Sequence, residues 1–374
     1  MRKKILVALG TRPEAIKMCP VILELKKSTL FKTVVVITGQ HREMLDEVLK
    51  LFQVKPDYDL DILKNSQSLI QKFSEIINGM EKVVDCEQPD LTLVHGDTLT
   101  AYATALTCYF KRKAIGHVEA GLRTYNLREP FPEEFVRQSI GIVAKYHFAP
   151  TEQAKQNLIK EGKKSNIYVT GNTAIDALRY TVQEKFFHPF LEDVKDRKIV
   201  LVTLHRRENW NGPIESVLRA IKRIANEYLD EVSILYPVHK NPYIQSVAKT
   251  ILEKCENVKI TEPLDVVACH NIMARSYCIL TDSGGIQEEA PYFGKPVLVV
   301  RNVTERVEGV EAGTLKLIGT DENVVYENFK QILENQELYK NMSKSINPYG
   351  NGQSGKQIVD ILEKEIEKEE EKEI

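Results

Sequence analysis

The sequence predicts an α/β protein made of two parallel-sheet domains, and three observations carry that prediction. The chain has 374 residues, beyond the size at which one core keeps growing, so two domains are expected. Short apolar runs alternate along it with helix-length amphipathic segments, an order that gives parallel strands joined by right-handed crossovers. The runs are almost continuously apolar, as strands buried on both faces are.

In the first half the runs are KILVAL (4–9), TVVVIT (33–38), LTLVH (91–95), AIGHVE (114–119), YHFA (146–149) and IYVT (167–170). The second half has KIVLVTL (198–204), VSILYPV (232–238), NVKI (257–260), YCILT (277–281) and PVLVV (296–300). Each half reads as a Rossmann-like domain. The polar stretch 183–197 interrupts the pattern and puts the join within 172–197. The last segment starts with helical spacing at Ile358, Ile361 and Leu362 and decays into Glu and Lys, a solvated helix end.

Composition narrows the function classes. Lys and Arg number 51 against 53 Asp and Glu, a net charge of −2, so no global field favours nucleic acid or an anionic membrane. No apolar stretch approaches the roughly 18 residues that span a bilayer, and the N-terminal ILVAL is too short for a signal-peptide core. Six cysteines without C-x-x-C spacing fit reduced thiols and a cytoplasmic location. No repeat of 20–50 residues is present.

Open α/β sheets bind ligands at the carboxyl ends of their strands, so the residues after each run are the candidates. The first run leads into Gly10-Thr11-Arg12-Pro13-Glu14-Ala15-Ile16-Lys17. Pro13 suits a first helical turn, and Arg12 lies beside helix N–H groups that favour anions. The loop alone fits a surface arginine equally well. LTLVH leads into Gly96-Asp97-Thr98, where Asp97 is either a helix N-cap or a carboxylate at the active edge. The next strand ends in Glu119. On neighbouring strands the two acids would push their pKa values apart, the arrangement of an acid–base pair. His95 and His117 precede the acids by two residues, but a metal needs three or four ligands, so they read as core histidines and no metal is expected.

In the second half KIVLVTL runs into His205-Arg206-Arg207, a phosphate-binding combination of charge and forked donors. VSILYPV is followed by His239. YCILT runs into Asp282-Ser283-Gly284-Gly285, where Ser283 can cap a helix and the glycines let a ligand approach. Glu289 follows within that helix, placed to accept from ribose hydroxyls. The arrangement is that of a nucleotide-sugar site.

Taken together, GTRPEAIKMCPVI, TGQHREMLDEVL, HGDT, HVEAGLRT, PFPEEFVRQ, GNTAIDAL, HRREN, PVHKNP, TDSGGIQEEAP, GKPVLVVRNVTERVEG and NPYGNG cover residues 9–352 in this order. On these motifs the chain resembles the non-hydrolysing UDP-N-acetylglucosamine 2-epimerases. The resemblance implies a GT-B fold with an interdomain cleft, an N-terminal domain over 1–172 joined by a C-terminal helix at about 353–374, and a nucleotide-binding domain over 173–352. It implies reversible conversion of UDP-N-acetylglucosamine to UDP-N-acetylmannosamine, by elimination of UDP to 2-acetamidoglucal and re-addition, without a cofactor. Asp97, Glu119 and Glu133 match the catalytic carboxylates, and His205 matches a histidine near the pyrophosphate. Arg12 and Lys17 match basic residues facing substrate. Ser283, Gly284, Gly285 and Glu289 match phosphate and ribose binders, and Arg306 a phosphate or sugar contact. Gln40, Arg207 and His239 fall in motifs the family uses for a second UDP-N-acetylglucosamine, an activator, and the family is usually dimeric.

The chain departs from the family pattern in several places. Val266 and Cys269 stand in the segment where an aromatic normally lies near uracil. Val307 replaces a Pro, Val136-Arg137 an Asn-Arg pair, and Glu75 an Arg of the activator site. A UDP-2,3-diacetamido-sugar epimerase and a GT-B glycosyltransferase are the alternatives. The first usually lacks the Thr and Glu of GTRPEAIK, and the second leaves three carboxylates in one domain unexplained.

Overall fold

The computed structural model describes residues 2–39, 42–62, 68–194, 196–206, 209–210 and 212–373. The chain forms two compact units, Met1–Ala177 with Tyr349–Ile374, and Leu178–Pro348. Each unit is built on one parallel sheet.

In the first unit the strands are β1 (Lys3–Leu9), β2 (Phe31–Ile37), β3 (Tyr58–Asp59), β4 (Leu91–His95), β5 (Ala114–Val118), β6 (Tyr146–Ala149) and β7 (Ile167–Val169), in the order β3-β2-β1-β4-β5-β6-β7. The second unit has β8 (Lys198–Thr203), β9 (Val232–Pro237), β10 (Val258–Thr261), β11 (Cys278–Thr281), β12 (Val297–Val299) and β13 (Leu315–Leu317), in the order β10-β9-β8-β11-β12-β13. The eleven strands expected from apolar runs all form. β3 and β13 were not expected, because two- and three-residue edge strands leave almost no pattern to read.

Both faces of each sheet are buried, which is why the runs do not alternate. Along β1, Ile5, Val7 and Leu9 enter one core with Ala15, Met18 and Ile22 of the helix Arg12–Lys27. The intervening Leu6 and Ala8 enter another with Ile76, Met80 and Ala101. Ile358 and Leu362 of the C-terminal helix Ser354–Glu373 are buried in the first of these cores. Full burial of such a side chain contributes roughly 1.5–3 kcal/mol, enough to hold a helix whose far end is all charge. In the second unit Val200 and Val202 of β8 face one core and Leu201 faces the other.

The strand order positions the candidate residues. In the first unit the order reverses between β1 and β4, whose exits carry Arg12 and Asp97. In the second it reverses between β8 and β11, whose exits carry His205 and Asp282–Gly285. Such reversals open the crevice in which doubly wound sheets bind ligands.

Candidate active site

Four chain segments of the first unit meet around Glu119. The helix Arg12–Lys27 starts in a capping box. The Thr11 hydroxyl accepts from the Glu14 N–H, and Glu14 Oε2 accepts from Thr11 N at 2.8 Å and Gly10 N at 3.0 Å. Thr98, which caps the helix Leu99–Phe110, donates to Glu14 Oε1 at 2.6 Å. Glu14 thus ties the β1 exit to the β4 exit, while burial raises its pKa despite these bonds. One and a half turns beyond Arg12, the Lys17 ammonium reaches Glu119.

β5 ends at Val118, one residue earlier than expected. Glu119 itself turns into the left-handed region at φ 62°, a cost that functional sites tolerate. Its Oε2 accepts from Lys17 Nζ and from Asn172 Nδ2 at 3.0 Å, and His95 Nε2 lies 3.7 Å away. Burial opposes ionisation, but the charges of Lys17 and His95 hold the carboxyl well below its usual range.

Asp97 is not a helix cap, because Thr98 performs that task. Its Oδ2 lies 2.5 Å from Arg137 Nη2, and Arg137 Nη1 is 3.5 Å from Glu134 Oε2. Asp97 and Glu119 each have their own cation, and the main counter-charge of Glu119 is Lys17. Gly96, at φ 63°, makes the turn after β4. Its carbonyl accepts at 2.7 Å from His117 Nε2, and burial brings that histidine down to a pKa of about 3, so it stays neutral. His95 and His117 are both buried, as core histidines are. His117 Nδ1 and His95 Nε2 have no hydrogen-bond partner among the described residues.

Glu133 opens the helix Glu133–Val143. Together with Asp97, Thr11, Thr98 and Lys72 it lines a cavity of about 250 Å³. Its Oε2 is buried with no hydrogen-bond partner among the described residues, while adjacent Glu134 is engaged by Thr124 N, Tyr125 N and Gln138. An unpartnered buried carboxylate oxygen on a cavity is costly structurally and useful chemically.

In the second unit the β8 and β11 exits interlock. Asp282 is wholly buried and receives the backbone N–H groups of His205 and Arg206 and the Asn209 amide. His205 Nδ1 lies 3.0 Å from Asp282 Oδ1. Burial pushes Asp282 up, and the bonds and charge of His205 with these N–H groups more than offset it, so the carboxyl is held low. Ser283 precedes the helix Gly284–Glu289 but makes no side-chain cap bond, contrary to the capping expected of it. A Cβ on Gly284 would come within 3.2 Å of Arg306 Cζ, so this glycine lets the guanidinium lie against the turn. Arg306 is gripped by Glu288 Oε1, at 2.9 Å from both Nε and Nη2, and by Glu305 at 2.7 Å. Burial opposes ionisation of Glu305, yet Arg306 and Arg301 hold its pKa at about 2. Glu289 Oε2 is 3.5 Å from His270 Nε2, whose Nδ1 meets Thr181 Oγ1 at 2.7 Å.

His239 accepts from Asn241 N at 3.1 Å, and its ring tilts against Trp210. Gln40 and Arg207 lie outside the described residues. Among the described residues, no group of three or more His, Cys, Asp or Glu could hold a metal ion, and no helix is long and apolar enough to cross a membrane.

Sequence reasoning missed Glu14, Arg137, Asn172, Asp282 and Glu288. The T-x-x-E spacing of a capping box could have exposed Glu14, and the helical i, i+4 relation of Glu133 and Arg137 puts both on one face. Asn172, Asp282 and Glu288 carry no local signal, because their partners are between 18 and 77 residues away.

Two parallel α/β units, one with ion-paired carboxylates at its switch point and one with a basic, glycine-lined exit, define a nucleotide-sugar class of protein. The model of the UDP-N-acetylglucosamine 2-epimerase family matches residues 23–363. A UDP-N-acetylglucosamine 2-epimerase of Bacillus subtilis is 51% identical over 360 residues, covering 96% of this chain and 94% of its own. The Neisseria meningitidis UDP-GlcNAc 2-epimerase bound to UDP-GlcNAc superposes with a TM-score of 0.85 at 44% identity, over 96% of this chain and 100% of that one. The S. aureus MnaA structure with UDP gives 0.87 at 46%, over 98% and 97%. The chain belongs to the UDP-N-acetylglucosamine 2-epimerase family.

Proposed function

We propose that the protein interconverts UDP-N-acetylglucosamine and UDP-N-acetylmannosamine by eliminating UDP and adding it back. The observation that carries this reading is an ionised, buried Glu119 at the β5 exit, next to the β4 exit whose Asp97 shares a cavity with Glu133, the Oε2 of which has no hydrogen-bond partner among the described residues. The C2 proton is scarcely acidic until the C1–O bond is breaking, so a base must act as UDP departs. One carboxylate of the set takes the C2 proton while the C1–O electrons leave with UDP, giving 2-acetamidoglucal. Protonation of C2 from the other face, with UDP re-adding at C1, yields the epimer. No oxidant or reductant is consumed, and no cofactor is required.

Lys17 and Arg12 face the sugar nucleotide, and Lys17 keeps Glu119 anionic. His205, Ser283, Gly284, Gly285 and Arg306 take the diphosphate, whose growing charge they stabilise as the bond breaks. Glu289, steadied by His270, accepts from ribose hydroxyls. Gln40, Arg207 and His239 bind a second UDP-N-acetylglucosamine as activator. The enzyme works in the cytoplasm as a homodimer.

The test is product identification by NMR after incubation with UDP-N-acetylglucosamine. UDP-N-acetylmannosamine is expected. Free N-acetylmannosamine would indicate hydrolysis, and unchanged substrate would overturn the proposal.

A further inference from the structure

We propose that Asp282 is a positioning residue for His205, holding the proton on Nδ1 so that Nε2 faces outward and, when it is protonated too, donates to the departing diphosphate. The anchoring follows from the second unit alone; its consequence for the diphosphate rests on the proposed epimerase reaction.

β8 and β11 are neighbours in register, Thr203 opposite Thr281, and the two hydroxyls meet at 2.6 Å. Asp282 is the next residue after β11, and His205 lies two past β8. The carboxylate is 0% exposed, whereas the His205 side chain is 46% exposed. One edge of the ring is therefore pinned to a buried acceptor and the rest is open.

An ionised carboxylate only accepts hydrogen bonds. The 3.0 Å contact of Nδ1 with Asp282 Oδ1 consequently requires Nδ1 to carry the proton, and the second nitrogen is left to interact outward. His205 N lies 3.0 Å from both carboxylate oxygens, and Oδ2 also takes Arg206 N and Asn209 Nδ2, each at 2.9 Å. Those donors alone would satisfy the buried charge, so the bond to the ring is an addition that orients His205 rather than one the fold needs. An amide at position 282 keeps the shape but offers N–H toward Nδ1. Nδ1 then has to accept, so the ring reaches outward as a neutral Nε2–H, without the positive charge that a doubly protonated imidazole brings to the diphosphate.

The experiment combines histidine ¹⁵N NMR of the full chain with a mutant cycle. In the unliganded wild type, the signal that His205→Gln removes is expected to show Nδ1 protonated. Asp282→Asn should convert it to the Nε2-protonated form and lower kcat about 100-fold, with UDP affinity changing less than 10-fold. In the His205→Gln background, Asp282→Asn should then cost nothing further. A wild-type His205 neutral with its proton on Nε2 overturns the anchoring, and that measurement needs no folded Asp282 variant. An equal loss from Asp282→Asn in both backgrounds overturns the positioning role. A wild type with Nδ1 protonated but no epimerase activity upholds the anchoring and removes its diphosphate consequence, which separates this inference from the reaction on which it draws.

Discussion

The Lys17 ammonium is bonded to the Glu119 carboxylate across 102 residues of sequence, at a point where that carboxylate is almost out of water. A buried anion of this kind depends on its cation. Lys17→Met is expected to raise the Glu119 pKa and cut kcat roughly 100-fold near neutral pH. Because the carboxyl is needed as its anion, the acid limb of the rate profile should move to higher pH. Rates measured from pH 5 to 9 check this, and an unmoved limb would show that Lys17 does not control Glu119.

Arg137 is the cation that holds the Asp97 carboxylate in place. Arg137→Met should lower kcat about 100-fold with circular dichroism unchanged, and Arg137→Lys should recover only part, since an ammonium cannot bridge Asp97 and Glu134 with a planar fork. Full recovery in the lysine variant would mean that charge alone matters.

Gly284 is needed for the seat of Arg306. The methyl of Gly284→Ala would press on the guanidinium carbon from 3.2 Å. UDP affinity by calorimetry is expected to fall about tenfold, or about 1.4 kcal/mol. Unaltered affinity would take Arg306 out of the diphosphate site.

Acid stability should report the buried histidines. Burial lowers His117 to a pKa of about 3 and His147 to about 4. The unfolded chain, with histidines near 6.5, then binds more protons than the folded one between those values. Stability present above pH 6.5 is therefore lost as pH falls toward 4, by up to about 1.4 kcal/mol per pH unit for each histidine. Urea titrations at pH 7, 6 and 5 measure the slope. His117→Asn should flatten it, and an equal slope would place the effect elsewhere.

The fold was legible because every long strand is a run of Val, Ile and Leu with a helix after it, and burial on both faces writes that pattern into consecutive residues. β3 and β13 were not, since edge pairing of two or three residues needs no pattern. At the site, Asp97, Glu119 and His205 could be read from their places just after strands. Their environments could not, because strand order decides which exits meet. Only once β4 lies between β1 and β5 does Lys17 reach Glu119, and only once β11 lies beside β8 does Asp282 lie under His205.

The reaction itself is tested most directly by running it in D₂O and examining C2 by NMR. Elimination and re-addition predicts deuterium at C2 of both UDP-N-acetylglucosamine and UDP-N-acetylmannosamine, and its loss in Glu119→Gln with UDP binding kept. Epimers formed with protium retained at C2 would contradict it.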